Sequence, residues 1–274
     1  MTRILYIIFT VLNLLTIGCE TKTEWDLKSD GLKYPVFESR ITNELKHQTI
    51  KISYSQNELN ASEVPVHGAV VVVNKENASY NFSETSPGVY VSDEKFQAVI
   101  GTFFIMHATI EGEQYTAVDY ALPVAAVNPL NIAPAGDSTL LVINEQKISF
   151  SENDISIREV FIDWSQLPSS SDPSETESSA LQYFYSLNTV DLNELFPPNS
   201  ENVFFPEGSR LYIRKYSMSA PYAKFMRAVL IETGGSGGYF DQAAANISGN
   251  INNNGKGFFA VCSVDQDSLV AEVN

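Results

Sequence analysis

The sequence predicts a mainly β protein: an N-terminal immunoglobulin-like or transthyretin-like β-sandwich over residues 34–127, then a second β-rich domain over 128–274 with one amphipathic helix near 219–233. Three observations lead there. Short runs rich in Val, Ile, Thr, Tyr and Phe recur between Gly, Pro, Asn and Ser clusters at the spacing of a sandwich. The stretch Ala121-Leu122-Pro123 to Asn128-Pro129 has two prolines suited to a stiff connection. Finally, the apolar period changes from that of a strand to that of a helix near residues 219–233.

The chain opens on an address rather than on a fold. Arg3, the apolar run Ile4–Ile17 and then Gly18-Cys19 have the layout of an export signal over residues 1–18. At ~1.5 Å per residue the run reaches only about 21 Å as a helix, too short to cross a bilayer core of roughly 30 Å upright. Cleavage before Cys19 puts that cysteine at the mature N-terminus. Leu15-Thr16-Ile17-Gly18-Cys19 resembles a bacterial lipobox, although Thr16 stands where leucine is usual. The resemblance implies acylation of Cys19 by palmitate-type chains, and several chains together make a stable anchor. Residues 19–33 follow as a tether. Glu20, Glu24 and Asp26 resemble the acidic signal that directs such lipoproteins to the cell surface of Bacteroidota.

The first domain is expected to use the strands Pro35–Ile41, Thr49–Tyr54, Ala69–Val73, Tyr80–Ser83, Val89–Val91, Thr102–Ile110 and Tyr115–Leu122. Asn74-Lys75-Glu76-Asn77 and Glu111-Gly112-Glu113 read as hairpin loops, and Ser86-Pro87-Gly88 as a turn. Both faces of Thr102–Ile110 are largely apolar, which suggests a central strand or one covered by the second domain. The second domain is expected to add Thr139–Ile143, Lys147–Phe150, Ile155–Trp164, Gln182–Leu187 and Arg210–Ser217, with a polar loop from Pro168 to Ser179. Tyr222, Phe225, Met226, Val229 and Leu230 then make one stripe of a helix, with Ser219 as cap, Pro221 in the first turn and Gly234 at the end.

Composition narrows the function classes. The chain carries 17 Lys+Arg against 33 Asp+Glu, net −16, and loss of Arg3 with the signal makes it more negative still. Nucleic acid is therefore not an expected partner, because phosphate binding uses clustered Lys and Arg. Hydrophobic residues make up 44% of the 274-residue chain, enough for two ordinary cores. With Cys19 acylated, Cys262 is left without an intramolecular disulfide partner. Its place in Phe258-Phe259-Ala260-Val261-Cys262 reads as a buried structural thiol.

Tests for chemistry come out mostly negative. Gly234-Gly235-Ser236-Gly237-Gly238 matches the letters of a nucleophile elbow, but a helix precedes it and no histidine follows. It also lacks the Lys-Ser/Thr ending of a phosphate loop. His47, His67 and His107 are too far apart for a local zinc pattern, and Asp163 with Asp172 or Asp265 with Asp267 follow no calcium-loop pattern. No catalytic residue, metal site or cofactor is expected. Ser138 and Ser268, in Asp137-Ser138-Thr139 and Asp267-Ser268-Leu269, resemble the short O-glycosylation acceptor motif of exported Bacteroidota proteins and stand as candidate modification sites.

Several segments together resemble the Bacteroidota outer-membrane lipoproteins grouped as domain of unknown function 4249 (DUF4249). The resemblance rests on Val66-His67-Gly68-Ala69 with Pro87-Gly88-Val89-Tyr90, on Gly112–Ala117, on the helix around Tyr222, and on Ala245-Asn246-Ile247-Ser248-Gly249-Asn250-Ile251 followed by Gly257-Phe258-Phe259-Ala260. Ala244 stands where proline is common. The resemblance implies a non-enzymatic, surface-exposed accessory of a TonB-dependent outer-membrane receptor, and it supplies no ligand residues. Asn246, Gly249, Asn250 and Gly257 are read as structural. A surface adhesin or envelope component, and a hydrolase whose site is assembled only in three dimensions, are the alternatives.

Overall fold

A computed structural model describes residues 32–56, 61–136, 139–167, 178–188, 202–234 and 247–272. The elements below all belong to the unit Lys33–Asn274. The signal, Cys19, Ser138, Asp172, the glycine run after Gly234 and the Ala244–Asn246 segment lie outside the described residues.

The first eight strands are β1 (Pro35–Thr42), β2 (Thr49–Tyr54), β3 (Val64–Pro65), β4 (Val70–Lys75), β5 (Ala78–Ser86), β6 (Val89–Ser92), β7 (Phe103–Ile110) and β8 (Glu113–Tyr120). Period-2 alternation explains them: in β7, Phe104, Met106, Ala108 and Ile110 are buried, while Phe103 and His107 face solvent. Turn chemistry sets the register. Glu111 and Gly112 both have positive φ, as a two-residue hairpin twisted like its strands requires, and β7 and β8 pair from Phe103↔Tyr120 to Ile110↔Glu113.

These strands join one sheet in the order β16-β1-β2-β6-β5-β4-β7-β8, with β3 on β2, where β16 is Lys256–Cys262 from near the chain's end. β16 runs parallel to β1, from Val36↔Lys256 to Thr42↔Cys262. Inward residues from β1, β2, β4 to β8 and β16 meet in one core that includes Phe37, Ile52, Tyr90, Phe104 and Phe259. Each such side chain contributes roughly 1.5–3 kcal/mol by leaving water. β7 is an interior strand, paired with β4 and β8 though next to the end of the order, and its outer face is uncovered: Phe103 is 58% exposed. The apolar residues there belong to a strand with neighbours on both sides, and no second layer of the described chain packs on them.

The remaining strands are β9 (Ile132–Pro134), β10 (Leu140–Ile143), β11 (Ile148–Phe150), β12 (Ser156–Asp163), β13 (Ser179–Leu187), β14 (Phe205–Pro206), β15 (Arg210–Ser217) and β17 (Val264–Val270). They form a three-stranded sheet β14-β10-β9 and a five-stranded sheet β11-β13-β12-β15-β17. One face of the five-stranded sheet packs Val160, Ile162, Phe184, Leu211 and Ile213 against Leu141 and Phe205. On its other face, one end is covered by α1 (Ala220–Gly234) and β16, through Tyr222, Ala223, Phe258 and Cys262. β16 therefore contributes alternate residues to two cores, Phe259 and Val261 to one and Phe258, Ala260 and Cys262 to the other. That two-sided burial explains its unbroken apolar run.

The helix starts where the sequence places it. Ser219 Oγ accepts from Tyr222 N at 3.3 Å and Ser219 O from Ala223 N at 2.9 Å. Tyr222 and Phe225 meet the Phe258 ring at 4.9 and 5.2 Å between centroids.

Candidate functional site

The outer residues of β1, half-buried Val36 and Arg40 and exposed Glu38, line one side of a groove. Beside Arg40 this groove, of about 600 Å³, separates β1 and β2 from α1 and the end of β15. Its apolar side is Tyr222, Phe225, Met226 and Phe258, and its polar side is Glu38, Arg40, Lys46 and Lys51.

Arg40 organises the floor. Its guanidinium lies 4.9 Å from the Tyr216 ring centre, and Arg214 lies 5.4 Å from the same ring. Arg40 Nη1 donates to Glu159 Oε2 at 3.5 Å, and Arg214 Nη2 donates to Glu44 Oε2 at 2.5 Å. Glu44 also accepts from Lys46 Nζ at 2.7 Å and from the buried Thr42 hydroxyl at 2.9 Å. Burial alone would raise the Glu44 carboxyl, but these donors and Arg214 hold it below the ordinary value. Burial pushes the Tyr222 hydroxyl up, and its contact with Arg40 only partly opposes this. Burial would also lower Arg40, but Tyr222, Tyr216, Cys262 and Glu159 together raise it, so it stays a cation at any working pH. A charged, ion-paired floor beside an aromatic wall suits stacking and apolar contact. The Thr42 hydroxyl that donates to Glu44 is buried.

The residues singled out in the sequence fall in several places. His47 Nδ1 lies 2.7 Å from Ser92 O, His67 Nδ1 2.7 Å from Glu84 Oε1, and His107 Nδ1 3.4 Å from Thr116 Oγ1, so the fold does not gather them. Among the described residues no three His, Cys, Asp or Glu side chains cluster as metal ligands. Cys262 is fully buried, and burial, reinforced by Asp119, pushes its thiol up to about 12. Asp265 accepts from Val127 N at 2.8 Å and Asp267 from Ser268 N at 2.8 Å. Ser268 is exposed on β17, opposite Tyr212.

Gly249, Asn250 and Gly257 are structural. Asn250 Nδ2 donates to Val118 O at 3.1 Å and to Phe259 O at 2.8 Å, while its Oδ1 accepts from Phe259 N at 2.9 Å. This one amide therefore links β8 to β16, the two ends of the nine-stranded sheet. Asp119 repeats the link by accepting from Val261 N at 2.8 Å. A Cβ on Gly249 would sit 1.8 Å from Gly257 O, and one on Gly257 (φ +81) would sit 2.1 Å from Phe37 O.

Sequence reading missed Arg40, Glu159, Arg214 and Tyr216. The available signal was charge inside otherwise apolar strand runs, as in Val36–Ile41 and Ile155–Ile162. Such charges need a partner once the strand is half buried.

A family model described as Domain of unknown function (DUF4249) matches residues 20–268. No curated protein matches the chain.

Proposed function

This chain belongs to the DUF4249 family, and from that premise we propose that it is a non-enzymatic binding component of the outer membrane. In this reading it is anchored through acylated Cys19, faces the cell surface and is an accessory of a TonB-dependent transporter. The observation that carries the proposal is the Leu15–Cys19 lipobox-like sequence in front of a β-rich unit with an aromatic and ion-paired groove. The groove supports binding over catalysis because its lining offers stacking surface and fixed charges.

Two experiments test it. Metabolic labelling with palmitate should mark the wild-type protein and not Cys19→Ala, and the variant should leave the membrane fraction. Affinity isolation of the native lipoprotein from outer membranes should recover a TonB-dependent receptor; repeated isolation of the lipoprotein alone would overturn the transporter partnership.

A second reading, surface adhesion, draws on the uncovered part of the five-stranded sheet. Leu181, Phe161 and Tyr212 stand side by side across three strands and are 49%, 40% and 43% exposed. Deletion of the gene separates the two: loss of nutrient uptake supports transport, and loss of surface attachment with normal uptake supports adhesion.

A further inference from the structure

The outer face of the first sheet carries no charge where β4, β7 and β8 lie side by side. Alternation turns every second residue outward from Val70 to Asn74, from Phe103 to Thr109 and from Gln114 to Tyr120, and none of them is Asp, Glu, Lys or Arg. β5 continues the face with Ser79, Asn81 and Ser83. The nearest carboxylates in sequence, Glu76 and Glu111, stand in hairpin turns at the strand ends, and Glu113 has the parity of buried Tyr115. A solvated surface carries roughly 25–35% charged residues. A face this broad without one, in a chain with 17 Lys+Arg and 33 Asp+Glu, is the pattern of a surface that something covers.

One end of the face is apolar. Phe103 stands opposite Tyr120 with ring centres 5.2 Å apart, and Ile105 stands opposite Val118. Phe103 and Val118 are exposed, as are Val99 and Ile100 just before β7. The free edge of β8, by contrast, is already occupied. Asn252 N donates to Thr116 O at 3.0 Å, Thr116 N donates to Asn252 Oδ1 at 2.6 Å, and Asn250 Nδ2 donates to Val118 O at 3.1 Å. A partner therefore meets this face by packing on it, not by adding a strand to its edge.

We propose that this face packs against the same face of a second copy of the chain, in a two-fold symmetric dimer. Charge decides the occupant. A partner of opposite charge is steered to the acidic surface of a chain of net charge −16, and an uncharged face gives it nothing to be steered by. Two copies repel through their acidic surfaces, so they approach at least cost where neither carries charge. A two-fold contact sets one patch against itself. Apolar side chains, amides and hydroxyls suit that, because Asn, Gln and Thr each donate and accept. Four strands at about 4.8 Å and seven residues at about 3.4 Å give a face of roughly 450 Å² in projection, about half of what a standard interface buries on each partner. The dimer is therefore weak and concentration-dependent. It shares no residue with the groove beside Arg40 and does not depend on the transporter reading.

Sedimentation equilibrium of the full chain in density-matched detergent, up to about millimolar protein, tests the proposal. Wild type should pass from monomer to dimer as concentration rises. Val118→Lys, at an exposed position that tolerates a long side chain, should weaken the dimer by about tenfold or more, because it sets like charges face to face. Val270→Lys, at an exposed valine of β17 outside this face, should behave as wild type. A wild-type chain that stays monomeric throughout, or a dimer that Val118→Lys leaves intact, overturns the proposal. Cross-linking on intact cells identifies the occupant. His107 is exposed midway along β7, and His107→Cys treated with a bismaleimide spanning about 10 Å, the spacing of packed sheets, should give a species of twice the mass. Wild type should not, since Cys262 is fully buried. If the doubled species is missing, or a different protein is captured in its place, the second copy is not the occupant.

Discussion

The two large sheets treat their polar side chains in opposite ways. In the nine-stranded sheet, polar groups complete the sheet itself: Asn250 and Asp119 tie β8 to β16, and Tyr90 Oη donates to Val66 O at 2.8 Å while accepting from Ala69 N at 3.0 Å. In the five-stranded sheet, Arg158 and Lys215 sit mid-sheet and line a cavity, while Glu159 and Arg214 pair with Arg40 and Glu44 beside the groove. Buried polar groups matched within the fold rigidify it, whereas groups matched only in part are available to a ligand. The first sheet is therefore a scaffold tied by its own polar links that also gives Glu38, Arg40 and Lys51 to the groove, while the second presents Tyr216 to that groove and Arg158 and Lys215 to the cavity.

The largest expected effect is on the scaffold. Gly257→Ala sets a Cβ against Phe37 O in a backbone with positive φ, and should cost about 4 kcal/mol or more, or abolish folding. Chemical denaturation of the purified variant measures this; a change below about 1 kcal/mol would break the scaffold reading. Asn250→Ala removes the hydrogen bonds that join β8 to β16 and should cost about 2–3 kcal/mol in the same assay.

A smaller effect depends on pH. Backbone donors Gly68 and Gly88, then His67, hold Glu84 down to about 2 from an ordinary 4.5. Its folded value lies below its unfolded one, so its contribution is complete above about pH 4.5 and is lost as pH falls toward 2. Glu84→Gln should flatten that part of the acid-unfolding curve; an unchanged acid limb would show that the loop is held by other contacts.

The smallest effect belongs to the presenting sheet. Phe161→Ser, at an exposed position, should change stability by no more than about 0.5 kcal/mol. A loss of several kcal/mol would mean that this face is packed in the working protein, and would sharpen the search for what covers it.

Local pattern carried much of the fold into the sequence. The limits Thr49–Tyr54 and Arg210–Ser217 match β2 and β15, and Ser219 caps the helix as its position suggests. Hairpins and the helix were legible because their causes lie within a few residues: alternation, positive-φ turns and a cap. The pairing of β16 with β1 was not, since it joins residues more than two hundred positions apart. Val264–Val270 was also missed as a strand, because Asp265, Gln266, Asp267 and Ser268 carry little β signal and the strand forms as the partner of β15. The candidate sites were least legible. Each of Arg40, Glu159, Arg158 and Lys215 looked like an ordinary surface charge until the sheet register set it beside its partners.

By itself the sequence determined the family, the β-rich class, the single helix of the described chain and the structural standing of Gly249 and Gly257. Only the tertiary structure decided which charges share a cleft. Strand alternation tells a side chain which of two faces it takes, but register and strand order, set by long-range packing, choose its neighbours.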